Sequence, residues 1–159
     1  MHGEFRVDNG LLRSLNRLRI ALDDTVRELE LAVCQSHSFA SYAEFGRDVD
    51  MRRTIIQRLD AIIERLGGHP CDRSSIAGVM RRIALHFASR MLDNEQLVIR
   101  HLAREERRLI ESIRLLAAAE HVPEDIRREL YSILRYLHEE LCRLEMMRRV
   151  PGSAAYIAR

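Results

Sequence analysis

The chain has 159 residues and a mass of 18.5 kDa, the size of one domain with a core of its own. Apolar residues make up 47%, charged residues 31% and aromatics 5%, with no Trp, 7 Gly and 3 Pro; this argues against a many-stranded β protein and against disorder. The net charge of +2 steers only weakly toward nucleic acid. No apolar run approaches the ~20 residues of a membrane span, and the opening MHGEFRVDNG lacks the apolar stretch of a signal peptide, so the expectation is a soluble, cytoplasmic, helical protein with no membrane partner.

Helical spacing governs the chain from its first apolar residues. Leu11, Leu15, Leu18, Leu22, Val26, Leu29 and Val33 step by three or four, one continuous apolar face. The spacing predicts a first helix over about 9–35. Gln35-Ser36-His37-Ser38 is a polar break with Ser38 as a cap. A second helix is predicted over about 38–66, with Tyr42, Phe45, Val49, Arg52, Ile56, Leu59 and Ile63 as its inner stripe. Gly67-Gly68 ends it, and His69-Pro70 prevents its resumption.

Ser74 and Ser75 cap a shorter helix over about 75–91, carrying Ile76, Val79, Ile83, Phe87 and Met91. A third long helix is predicted over about 94–119, with Val98, Leu102, Leu109, Ile113 and Leu116 inside. His121-Val122-Pro123 is a short turn, and Pro123, Glu124 and Asp125 suit the start of the next helix. That fourth helix is predicted over about 123–149, with Ile126, Leu130, Ile133, Leu137, Leu141 and Leu144 inside. Pro151-Gly152 stops it, leaving a loose tail over 150–159 in which Tyr156 and Ile157 could dock.

Short loops make helices one and two, and three and four, antiparallel hairpins. A long connection with its own helix joins them. The reading is a single all-α domain, a ferritin-like four-helix bundle with its core over about 9–149.

Every one of the 26 basic residues is Arg. The composition is read as genomic, with bidentate binding of phosphates or carboxylates as the functional alternative. Acids are interleaved, as in Arg104-Glu105-Glu106-Arg107, which favours intrahelical ion pairs over a nucleic-acid stripe. Cys34, Cys71 and Cys142 are odd in number and widely spaced. They fit a reducing compartment and small core or boundary positions. Met80, Met91, Met146 and Met147 read as core or edge filler, and His37, His69, His86 and His121 as turn or surface residues. No phosphate loop, nucleophile elbow or base-paired nucleophile is present, so catalytic and cofactor-binding residues are not assigned.

The informative residues break an apolar stripe. Arg52 lies three after Val49 and four before Ile56. Glu105 and Glu106 fall in the gap between Leu102 and Leu109, with His101 on the flank of that face and His138, midway along helix four, on the edge of the core. A buried charge must be paired or coordinated. One account is a buried polar network of Arg52, Glu106 and His138. The other is a metal site, iron or another divalent ion, held by His101, Glu105, Glu106 and His138. The four-carboxylate, two-histidine iron pattern is incomplete: Arg135, not Glu, stands three before His138.

Several pieces together resemble a ferritin-like four-helix-bundle family of unknown function, found mainly in proteobacteria. They are Asn16-x-Leu18-x-x-x-Leu22-x-Asp24, Arg52 fourteen before Leu66-Gly67-Gly68-x-Pro70, Ser74-Ser75-Ile76-Ala77-Gly78, Glu106, and His138 followed by Leu141 and Leu144. The resemblance spans about 11–148, and the Leu-Gly-Gly-x-Pro piece with the Ser-Ile-Ala-Gly piece is its most specific part. Glu105 stands where Gly is usual, and the aromatic expected near Ile113 is absent. The resemblance implies the bundle fold and a structural or stress-associated role, with no established activity. The expected function is a non-enzymatic bundle that self-associates or meets a protein partner. Ile20 and Leu31, opposite the core stripe of helix one, motivate the association. The alternative is an iron-storing or iron-oxidising protein with its site at the bundle midplane.

Overall fold

Four helices make up almost all of the computed structural model over the residues it describes, 9–35, 39–71 and 95–149. They are α1 (Asn9–Gln35), α2 (Phe39–Arg65), α3 (Glu95–Ala118) and α4 (Glu124–Arg149). Among the described residues there is no strand, and no helix is long and apolar enough to cross a membrane. The helix expected at 75–91, the Ser38 cap and the tail from 150 lie outside the described residues, as do His37, His86, Met80 and Met91.

Each helix buries the stripe that its three- and four-residue spacing sets up. Leu11, Leu15, Leu18, Leu22, Val26 and Leu29 of α1 are buried, as are Ile126, Leu130, Ile133, Leu137 and Leu144 of α4. These side chains join those of α2 and α3 in one core. Tyr42, expected on the inner stripe of α2, is instead 55% exposed. Leu31, expected to face outward from α1, packs against the core from a partly buried position. The three cysteines are exposed. Cys142 shows why: five residues past buried Leu137, it is rotated about 140° from the core stripe. Met146 is exposed, and Met147 packs on the edge of the core.

Helix ends are closed by local chemistry. Gly67 takes φ 76°, a left-handed conformation that glycine adopts without steric cost. Gly67 N–H then donates to Glu64 O at 2.9 Å, and Gly68 N–H to Ile63 O at 3.0 Å, satisfying carbonyls that the end of α2 leaves bare. The chain beyond is tied to α1: Asn16 Oδ1 accepts from Cys71 N–H at 2.7 Å, and Arg19 Nη1 donates to Cys71 O at 3.0 Å. Arg127 of α4 does the same service for the end of α3. Its guanidinium donates to the carbonyls of Ala117 at 3.0 Å, Ala119 at 3.2 Å and Val122 at 3.1 Å.

α1 packs chiefly on α2 and α3 chiefly on α4; α1 also lies along α3, and of these neighbouring pairs α2 and α4 approach least. Residues that rise in number along α2 meet residues that fall along α4. Arg143 bonds Asp48, Arg58 bonds Glu129 and Arg65 bonds Asp125, so these two helices run in opposite directions. Long polar side chains bridge that seam.

Candidate functional site

Arg52 enters the bundle because Val49 and Ile56 place it on the buried face of α2. It is 2% exposed, yet it carries a guanidinium that stays charged in any protein. The cost of that burial is met by three neighbouring helices. Nη2 donates to Glu106 of α3 and, at 2.7 Å, to Glu140 of α4. Nη1 donates to Thr25 Oγ1 of α1, and the Thr25 hydroxyl donates to Leu22 O at 2.7 Å. Glu106 is 1% exposed and Glu140 0%. One residue from each helix therefore meets at the midplane.

A second pair sits beside the first across the same seam. Asp48 of α2 is buried and accepts from Arg143 Nη2 at 2.9 Å and from the Tyr136 hydroxyl at 3.3 Å. Arg143 also lies 3.7 Å from Glu44. Asp48, Arg52, Tyr136, Glu140 and Arg143 form one polar seam where α2 and α4 stand apart.

The charges are unequal. Arg52 faces two carboxylates, and one guanidinium neutralises only one of them. Burial pushes the Glu140 carboxyl up to about 8; Arg52 opposes the shift, and Glu106 and Asp48 add to it. Burial also raises Glu106 against the pull of Arg52, and Asp48 against the pull of Arg143 and Arg52. Burial alone works against the Arg52 charge, but Glu140 and Glu106 outweigh it and hold the guanidinium protonated. Tyr136 is raised by burial and then by Glu140 and Asp48, so it stays a neutral phenol.

The residues singled out from sequence divide at this point. Arg52 and Glu106 are in contact. Glu105 pairs with Arg108 at 2.7 Å, one turn along its own helix. His101 lies 3.3 Å from Glu28 Oε1 on α1. His138 is exposed, with Nδ1 2.8 Å from Leu134 O of its own helix. It follows buried Leu137 by one residue, which turns it about 100° away from the core, so it takes no part in the Arg52 cluster. Its place is taken by Glu140, which spacing could have found: Glu140 lies three after Leu137 and four before Leu144, the same relation that marks Arg52.

These donors do not fit a metal centre. Among the described residues no three carboxylate, imidazole or thiol groups converge as metal ligands would. Glu106 and Glu140, the two buried carboxylates at the midplane, both turn onto Arg52, and a cation already stands where a metal would need to be. Comparison of the chain with protein-family models, with curated proteins and with solved structures gave no match. A functional reading therefore rests on the chemistry of the midplane and of the surface.

Proposed function

We propose that this chain is a non-enzymatic, ferritin-like helical bundle that acts through its surface as a homo-oligomer. In this reading α1 with α2 and α3 with α4 form two hairpins joined by the long connection between Arg65 and Glu95. One observation carries it. Arg52 fills the midplane and bonds Glu106 and Glu140, so an internal ion cluster occupies the ground that a ferritin-like protein gives to chemistry. Such a cluster adds little net stability, and its directional bonds set which helix faces meet. A structural or stress-associated role agrees with this.

The outward residues support the surface half of the proposal. Tyr42 on α2 is 55% exposed and Met146 on α4 is 60% exposed. Both lie toward the end of the α2–α4 seam where Arg143 reaches Glu44. A second copy of the chain would cover them.

Two measurements on the untagged full chain test the proposal. Light scattering during size exclusion should give a mass above 18.5 kDa, and Tyr42→Ser combined with Met146→Ser should return it toward the monomer. Loading with ferrous iron in air, desalting and mass spectrometry should leave no stoichiometric metal. A monomer at all concentrations overturns the homo-oligomer, and one or two irons per chain overturn the non-metal reading.

A further inference from the structure

The four helices supply fewer partners at the midplane than its polar atoms require. Glu106 Oε1, Glu140 Oε2 and Arg52 Nε are buried without a hydrogen-bond partner, as is Glu28 Oε2 on α1. Leaving a buried polar atom bare costs about 1–3 kcal/mol, so four of them in one place call for a common partner. All four residues line one cavity of about 10 Å³, whose remaining wall comes from Thr25, Leu29, Leu102, Glu105 and Leu144. That space suits a single water molecule, which needs two to four polar partners and finds them here.

The wall of this cavity also leads outward. Glu28 lines the cavity with its Oε2 buried, and its Oε1 lies 3.3 Å from His101 Nε2 of α3. Glu28 and His101 are each about one-fifth exposed. A polar path therefore runs from solvent, through His101 and Glu28, to Glu106 and Glu140. We propose that the cavity is a site for one water molecule, and that the Glu106–Glu140 pair holds one exchangeable proton, which this water passes to and from the Glu28–His101 edge.

The charges around the pair require that proton. From α2 come Arg52 and Asp48; from α4, Tyr136 and Arg143; from α3, Glu105 and His101; from α1, Glu28. Asp48 and Arg143 close on each other and Glu105 on Arg108; Glu28 stands at the partly exposed edge, 3.3 Å from His101. Arg52 is left to face two carboxylates. With one proton on the pair the cluster is neutral; without it an uncompensated buried anion remains, which is costly. Burial favours Glu140 as the holder. When the proton leaves, the Glu140 O–H bond breaks as the water takes the proton, and the water gives one of its own to Glu28. The water is left as it was, the new O–H bond stands on Glu28, and that proton leaves to solvent at the partly exposed Glu28–His101 edge. The inference does not depend on self-association.

Isotope-edited infrared spectroscopy tests it on the wild-type chain with carboxyl-labelled glutamate. A protonated carboxylic acid band should be present at neutral pH and should vanish in a one-proton step with its midpoint at about 8. In deuterated water the band should shift before the backbone amides of Leu137 and Glu140 exchange. Glu140→Gln should abolish the band, and Glu28→Leu should slow its shift severalfold. The proposal is overturned if wild type shows no such band at neutral pH. It is equally overturned if the band exchanges only together with those amides, or if Glu28→Leu leaves the rate unchanged.

Discussion

Arg52 and Glu140 stand 88 residues apart in the chain and meet at 2.7 Å between α2 and α4, which of the neighbouring helix pairs approach each other least. The contact is the buried member of a row. Arg143–Asp48 lies to one side of it, and Arg58–Glu129 and Arg65–Asp125 to the other. The Arg58 and Arg65 pairs are partly or largely exposed and add little each. The inner one is buried, and its geometry is directional. Sliding α2 by one turn along α4 would strand a guanidinium in the core, whereas a sliding Leu stripe would find another Leu. The cluster therefore sets register more than it sets stability.

Breaking the cluster on one side should cost far more than removing it. Arg52→Met leaves Glu106 and Glu140 facing each other without a cation, and should destabilise the fold by about 3–5 kcal/mol. The triple change Arg52→Met, Glu106→Leu, Glu140→Leu leaves no unpaired charge and should recover most of that loss. Urea unfolding at pH 7, with unchanged denaturant slopes, reads both. A single variant as stable as wild type would sink the idea that Arg52 is paired in the core.

Stability should fall as pH rises. The Glu140 carboxyl is held above its ordinary value, up to about 8, by burial, with Arg52 opposing. Between the ordinary carboxylate range and that point the folded state binds more protons than the unfolded state. The stabilisation is thus complete at low pH and is lost as pH climbs toward the folded value, with a slope of at most about 1.4 kcal/mol per pH unit for one proton. Glu106 and Asp48 are raised as well and act with the same sign. Unfolding midpoints between pH 6 and about 9 should decline in wild type and flatten in Glu140→Gln.

Neighbouring residues on α4 should behave oppositely. Leu137 is wholly buried, and Leu137→Ala should cost about 2–5 kcal/mol through lost contacts and a cavity. His138 is exposed, and His138→Ala should stay within about 0.5 kcal/mol of wild type. Thermal or urea melts of the two variants side by side settle it: a large loss at His138 would place the imidazole inside after all.

That contrast also shows how far the sequence can be read. Helix extents follow from apolar spacing and stop signals, so the stretch expected over 9–35 is α1 and the Gly67-Gly68 stop closes α2. Arg52 stands out as a charge at a buried spacing. Glu140 has the same spacing, three after Leu137 and four before Leu144, but Leu141 beside it continues the stripe equally well and hides it. His138 stands out through its chemistry and not through its angle on the helix. Asp48 is hidden in the same way beside Val49, and its partners Tyr136 and Arg143 are 88 and 95 residues away. No local pattern carries a pairing of that range. It depends on how closely α2 and α4 approach, which only the packed structure decides.

The α3–α4 turn offers the last test, because one side chain holds it. Arg127 donates to the carbonyls of Ala117, Ala119 and Val122 at 3.0–3.2 Å: one in the last turn of α3, where carbonyls lack intrahelical partners, and two in the turn that follows. The three acceptors are spread over the turn, and a planar fork with five donors can reach them together where a single ammonium cannot. Arg127→Ala should lower stability by about 1–2 kcal/mol, a partly exposed site discounting the gain from a charged donor. Arg127→Lys should recover little of that loss. Native-state hydrogen exchange should show the faster opening confined to the last turn of α3 and the first turn of α4. Full rescue by Lys would mean that the charge, and not the fork, closes the turn.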